Sequence, residues 1–260
     1  MTDPNEPCKG LPIDINGVIN SIPTHMLLDN LKTGMNTLSI MLFTLDKTIV
    51  FANNMAANGC SGETADSLPG KNLNTFVPKD WLDEREQYFQ RAIETNRVMT
   101  ILEIIEGVRL CSRIKSLVIE HGGEEQILIM YTIEPVKPAD VTWVREHTAT
   151  EDLFDAECID LGLLNLLSER ELEVLALMGK GLRQKEIAEQ LFRSVSTINR
   201  HRESIGEKLG VTDRAVLIQL ASQAGLEVED ASKTRMNLNN QNAVIRHYNN
   251  KIAGKRDESH

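Results

Sequence analysis

Cysteine is sparse in this chain, with four in 260 residues. Cys8, Cys60, Cys111 and Cys158 stand far apart and never as C-x-x-C, which excludes a disulfide framework and a short-spaced zinc site. His25, His121, His147, His247 and His260 show no metal-ligand spacing, so no metal is expected. No apolar run approaches the ~20 residues of a membrane helix. The opening MTDPNEPCKGLPID lacks the basic and apolar regions of a secretory signal, so a cytoplasmic location is expected. Pro69-Gly70-Lys71-Asn72 lacks the leading Gly and the Ser or Thr of a phosphate loop. With no nucleophile–base pairing either, neither a catalytic residue nor an enzyme is expected.

Positive charge is also in short supply, and unevenly so. The net charge is −10. Residues 1–161 hold 13 Lys and Arg against 25 Asp and Glu, residues 162–225 hold 9 against 8, and residues 226–260 hold 6 against 5. An acidic front repels a polyanion, so any contact with nucleic acid is confined to the last third. Hydrophobic content of 41% and charged content of 25% are those of a globular protein. The length suits about one and a half to two domains.

From Leu38 to Ala52, two apolar, β-rich runs flank Asp46-Lys47, a hairpin signal. Short pieces broken by Gly and Pro follow, too broken for one long helix. Trp81 to Arg97 has helical spacing, with Trp81, Tyr88 or Phe89, Ala92 and Ile93 on one face. Strands are predicted at Val98–Ile105, Arg109–Ile119 and Gln126–Ile133, with His121-Gly122-Gly123 as the turn between the last two. This order implies an antiparallel sheet with helices on one face, an α+β domain.

Over about residues 23–136 that order, with Asn53-Asn54 after the second strand and the segment Gly59…Leu68-Pro69-Gly70-Lys71, resembles a PAS domain. The resemblance implies a sensor or dimerisation module with an internal cavity. No His lies between Met26 and Glu120, which argues against haem held by a helical His. Cys60 sits in Gly-Cys-Ser-Gly, not in the flavin-adduct motif of light sensors. No cofactor is evident. A packed core and an unidentified small-molecule ligand both remain open.

Residues 167–221 carry the sharpest signal. Ser168-x-x-Glu171 is a capping box, with Leu167 and Leu172 as its hydrophobic staple. Gly179 and Gly181 close that first helix. A second helix is predicted at Gln184–Phe192 through Ile187, Ala188 and Leu191, and the turn Phe192-Arg193-Ser194 leads to a third at Val195–Leu209. Gly210 ends it, and Thr212 caps a fourth running to about Ala224. Short helix, tight turn and longer helix make a helix-turn-helix. At about 100° per residue, Ile198, Ile205 and Leu209 form the buried stripe of the third helix. Ser196, Arg200, Glu203 and Glu207 lie opposite, with Asn199 at the edge and Thr197, Ser204, Lys208 and His201 on one flank.

An Arg–Asn–Glu face suits base edges, because Arg pairs with guanine, Asn with adenine, and Glu accepts from cytosine. Asn199, Arg200, Glu203 and Ser196 are the candidate base contacts. Lys185, Thr197, Ser194, Arg193, Arg183, His201 and Lys208 are the candidate phosphate contacts. A solvated Arg200–Glu203 pair at i, i+3 and a packing role for His201 stay open beside these.

The marks Leu167-Ser168-x-Arg170-Glu171-x-Glu173-Val174-Leu175, Lys185-Glu186-Ile187-Ala188, Ser194-x-x-Thr197-Ile198-x-x-His201 and Lys208-Leu209-Gly210-Val211 resemble the LuxR-type (GerE/NarL-like) helix-turn-helix of bacterial transcription regulators. Departures are Asn199, where the family often has Lys, and Glu203, where a basic residue is common. The resemblance implies that Lys185 and Thr197 meet phosphates, that residues 199, 200 and 203 meet bases, and that the fourth helix supports dimerisation.

The expected architecture is an α+β chain. It has an N-terminal segment (1–22), a PAS-like antiparallel sheet domain with helices (23–136) and an acidic, partly helical linker (137–162). An all-α, four-helix LuxR-type domain (163–226) and a polar tail (227–260), disordered or a loosely docked helix, follow. The expected function is signal-controlled, sequence-specific binding of double-stranded DNA by a homodimer, with RNA polymerase a further candidate partner and the membrane none. A phosphorylated receiver domain would need a parallel α/β pattern, and an acyl-homoserine-lactone receptor more aromatics than the 4% present. The alternative from another class is a protein-interaction adaptor whose helix-turn-helix no longer binds DNA.

Overall fold

A computed structural model describes residues 38–60, 62–121, 124–211 and 213–236. The expected N-terminal segment, the first residues of the PAS-like region, Thr212 and the end of the tail lie outside them. The described residues divide into two units, one of residues 38–100 and 112–134, the other of 101–111 and 135–236.

The first unit begins with the predicted hairpin, β1 (Ser39–Thr44) and β2 (Ile49–Ala52). They pair antiparallel with Leu42 opposite Phe51. Lys47 takes the left-handed conformation at the turn, and Asp46 accepts from the Thr48 hydroxyl (3.1 Å). Asn53 caps the helix α1 (Asn54–Asn58) by accepting from the Ala56 N–H (2.9 Å). The same oxygen accepts from the Ile40 N–H (3.1 Å), and its Nδ2 donates to the Leu38 carbonyl (2.8 Å). One amide thus joins the start of β1 to the end of β2.

Helix α2 (Lys79–Thr95) buries Trp81, Arg85, Tyr88, Phe89 and Ala92. The aromatic members follow the helical spacing in the sequence; Ile93 is only half-buried. Arg85 was not legible as a core residue, yet it is 0% exposed. Its guanidinium lies 5.0 Å from the Trp81 ring and 3.1 Å from the Glu84 carboxylate, so charge pairing and ring contact offset its desolvation.

Strands β3 (Met99–Ile105), β4 (Val108–His121) and β5 (Glu124–Pro135), with β6 (Leu153–Asp155), complete a sheet of order β2-β1-β5-β4-β3-β6. β1 and β5 pair antiparallel, Phe43 opposite Ile129 and Met41 opposite Tyr131. Because side chains alternate along a strand, Phe43 and Tyr131 share the face that meets Phe89 edge-on. Leu42 and Met130 cluster instead with Leu117 and Leu128.

The second unit corrects two expectations. Residues 137–162 are more than a partly helical connection. They hold α3 (Pro138–His147), β6 and β7 (Cys158–Ile159). Val144 of α3 packs with Leu102, Cys111 and Val136. The tail expected from residue 227 is folded as far as Met236: a 3-10 turn (Val228–Ser232) precedes β8 (Thr234–Arg235), which pairs parallel with β7. Within this unit, α4 (Glu169–Gly179), α5 (Gln184–Gln190), α6 (Val195–Leu209) and α7 (Arg214–Gln223) follow a 3-10 turn at Gly162–Leu166. The whole is an α+β fold.

Candidate nucleic-acid interface

Helix α4 starts where its capping box places it. Ser168 Oγ accepts from the Glu171 N–H (3.4 Å), and Glu171 Oε2 accepts from the Ser168 N–H (2.7 Å). Leu167 and Leu172 are both buried. Gly181, in the left-handed region, turns the chain into α5. There the Arg183 N–H donates to Glu186 (2.6 Å), and Ile187 and Ala188 face inward.

Helix α5 stops at Gln190, two residues before the expected Phe192, because Phe192 leaves the helix at positive φ. That residue is 89% exposed. Ser194 caps α6 by accepting from the Thr197 N–H (3.1 Å), and its hydroxyl also bonds those of Ser196 and Thr197 (2.8 Å each). Gly210 closes α6 in the left-handed conformation. Asp213, whose carboxylate accepts from the Ala215 N–H (2.8 Å), is the side-chain cap of α7; the expected cap, Thr212, is outside the described residues.

The inward stripe of α6 is Ile198 and Ile205, with Leu209 half-buried; Ser196, Arg200, Glu203 and Glu207 are exposed on the other side. Lys185 and Arg183 on the first turn of α5 and Arg193 in the connecting turn are exposed as well. The structure therefore places Arg200, Ser196 and Glu203 together on one exposed face of α6. Thr197 and His201 are half-buried on the flank.

Two candidates are placed differently from expectation. Asn199 is half-buried, and its Oδ1 is enclosed with no partner among the described residues, so its amide oxygen is withheld from the open face. Lys208, expected on a phosphate, has its ammonium 2.7 Å from Glu171 Oε2. Glu171 also accepts from the Ser204 hydroxyl (2.7 Å). Burial works against the Glu171 charge, but Lys208, Ser204 and the Ser168 backbone and hydroxyl outweigh it and hold the carboxyl down to about 2. The sequence places Glu171 in the capping box. Its second role had no local signal, since Ser204 and Lys208 lie on another helix.

A short helix, a four-residue connection (191–194) and a longer helix with an open polar face form a helix-turn-helix. Residues 165–221 match the family model described as bacterial regulatory proteins, luxR family. The oxygen regulatory protein NreC of Staphylococcus aureus is 34% identical over 113 residues, covering 41% of this chain and 51% of NreC. The chain thus spans about half the length of the curated relatives it matches. Among solved structures, the Vibrio cholerae VqmA–ligand–DNA complex aligns over 82% of this chain and 95% of that chain, at 17% identity and a TM-score of 0.41. A VqmA dimer without target DNA covers 80% and 93%, at 16% identity and 0.38. Among the described residues, no helix is long and apolar enough to cross a membrane.

Proposed function

We propose that this chain is a cytoplasmic, dimeric transcription regulator. Its C-terminal helix-turn-helix binds duplex DNA, and its N-terminal domain, read as PAS-like, controls that binding through a small-molecule ligand or a partner. The observation that carries the proposal is the exposed face of α6, where Arg200, Ser196 and Glu203 stand opposite the buried Ile198 and Ile205, within a LuxR-type domain. A helix with such a face fits the major groove, while Lys185, Arg183 and Arg193 suit the adjacent phosphates. The element order over residues 39–135 (hairpin, short helices, long helix, three strands) supports the PAS-like reading. RNA polymerase remains a proposed partner, and no catalytic step is assigned.

Incubating the full chain with a random duplex library and sequencing the retained DNA tests this. Enrichment of one motif is the expected outcome. A second reading, a protein-interaction adaptor, draws on the net charge of −10 and on Glu203 and Glu207 beside Arg200. Absence of any enrichment, with no salt-dependent affinity for DNA, would decide for the adaptor.

A further inference from the structure

We propose that Glu171 is the positioning residue of the DNA-reading helix: its carboxylate fixes α6 against α4 and withholds the Lys208 ammonium from DNA phosphates. The inference rests on the duplex-DNA reading above.

Glu171 is 4% exposed and both its oxygens are engaged. Oε1 accepts from Ser204 Oγ (2.7 Å). Oε2 accepts from Lys208 Nζ (2.7 Å), the Ser168 N–H (2.7 Å) and Ser168 Oγ (3.0 Å). Ser204 and Lys208 are spaced i, i+4 on α6, so one carboxylate grips two successive turns. The apolar stripe of Ile198 and Ile205 anchors α6 without direction, since hydrophobic contact is non-directional. Hydrogen bonds and ion pairs weaken steeply with misalignment. The Glu171 grip, set on the flank of α6, therefore determines the rotation at which Arg200 and Ser196 face outward.

The second consequence is electrostatic. Lys208 keeps 40% of its side chain exposed, and a free ammonium there would join Lys185, Arg183, Arg193 and Arg200 as a cation of the DNA-facing domain. Each cation seated on a phosphate steepens the salt dependence of binding by about 0.9 in log–log slope, whatever the sequence. Pairing Lys208 with Glu171 removes that sequence-blind attraction and leaves more of the affinity to base contacts.

The test uses the full chain as wild type, Glu171→Gln, Lys208→Met and the double variant. Each is titrated across a salt series on random-sequence duplexes and on the duplex that selection enriches. Glu171→Gln is expected to steepen the slope on random DNA by about one unit and to narrow the ratio of enriched to random binding. Adding Lys208→Met is expected to abolish the steepening, and Lys208→Met alone to leave the slope unchanged. The proposal is overturned if Lys208→Met alone flattens the slope by about one unit, because Lys208 then already sits on a phosphate. A titration of the Glu171 carboxyl by NMR keeps the proposal decidable should Glu171→Gln unfold. A midpoint well below the usual glutamate range that rises in Lys208→Met supports it; an ordinary midpoint of about 4.3 overturns it. If the wild type binds no duplex at any salt, the DNA reading fails by itself, and the carboxyl titration still decides whether Glu171 grips α6.

Discussion

Arg200 and Lys185 are both exposed cations, but their positions assign them different work. Arg200 stands on α6 away from Ile198 and Ile205, where a side chain reaches base edges; Lys185 opens α5, which crosses the DNA backbone in such motifs. Arg200→Ala is expected to cost about 1–3 kcal/mol on the enriched site and to relax preference there. Lys185→Ala is expected to weaken all duplexes alike and to lower the salt slope by about one unit. Titrations on both DNAs across a salt series separate the two, and identical profiles would contradict the docking. Glu171 also has a pH signature. Its carboxyl is held at about 2 against an ordinary 4.5. A depressed carboxyl contributes stability that is full above its unfolded pKa and is lost as pH falls towards the folded one. That contribution is present in full near neutral pH. Denaturant unfolding of wild type and Glu171→Gln is expected to show the gap near neutral pH and its disappearance near pH ~2; a gap independent of pH would contradict this.

At the scale of elements, the glycines that join them differ in what surrounds them. Gly162, just after β7, has positive φ, and a Cβ there would lie 2.9 Å from the Glu106 carbonyl. The clash is with backbone at the β3–β4 turn, which cannot swing aside. Gly181, between α4 and α5, also has positive φ but nothing within 4 Å of a Cβ. Gly181→Ala is expected to cost about 1–2 kcal/mol from conformation alone, and Gly162→Ala clearly more. Thermal or denaturant unfolding of the full chain compares them, and equal costs would show that the Gly162 contact relaxes freely. The elements themselves were largely legible in the sequence. β1, β2, α2, α4 and α6 fall within a residue or two of expectation, because caps, turns and apolar periods act between near neighbours. β6, β7 and β8 were not legible, since each is held by residues far along the chain, whereas α3 falls in the stretch read as partly helical.

At the scale of the molecule, the second unit closes on a buried ion pair. Arg109 of β4 and Asp230 of the 3-10 turn after α7 are 3% and 2% exposed and paired. Arg109 also donates to the Gly225 carbonyl (2.9 Å), and Asp230 to that extent serves two ends: it accepts from the Glu227 N–H (2.9 Å) and pairs with Lys233 (2.9 Å). The end of the helix-turn-helix is thereby tied to the first residues of β4. Removing Asp230 strands the Arg109 guanidinium in a dry site, at about 3–5 kcal/mol, whereas removing Arg109 leaves Asp230 still paired with Lys233. Asp230→Leu is expected to destabilise by that order, and Arg109→Leu by less. The double variant should cost far less than their sum, as a double-mutant cycle by denaturation would show. Strict additivity would mean that the pair is not coupled.

The amino-acid order by itself determined what neighbouring residues settle between them. It placed the Ser168–Glu171 capping box, the start and end of α6 between Ser194 and Gly210, and the side of α6 that turns inward. These follow from i, i+3 and i, i+4 geometry, which needs no tertiary contact. Only the tertiary structure decided where each polar group finds its partner. Lys208 reads in sequence as one more cation on a basic flank, until folding brings Glu171 from 37 residues away. Arg109 and Asp230, 121 residues apart, read as surface charges until packing removes their water. Asn199, at the edge of the reading face in sequence, has its amide oxygen enclosed. A charged side chain carries no local mark of its burial, because desolvation and pairing are set by whatever the rest of the chain places beside it.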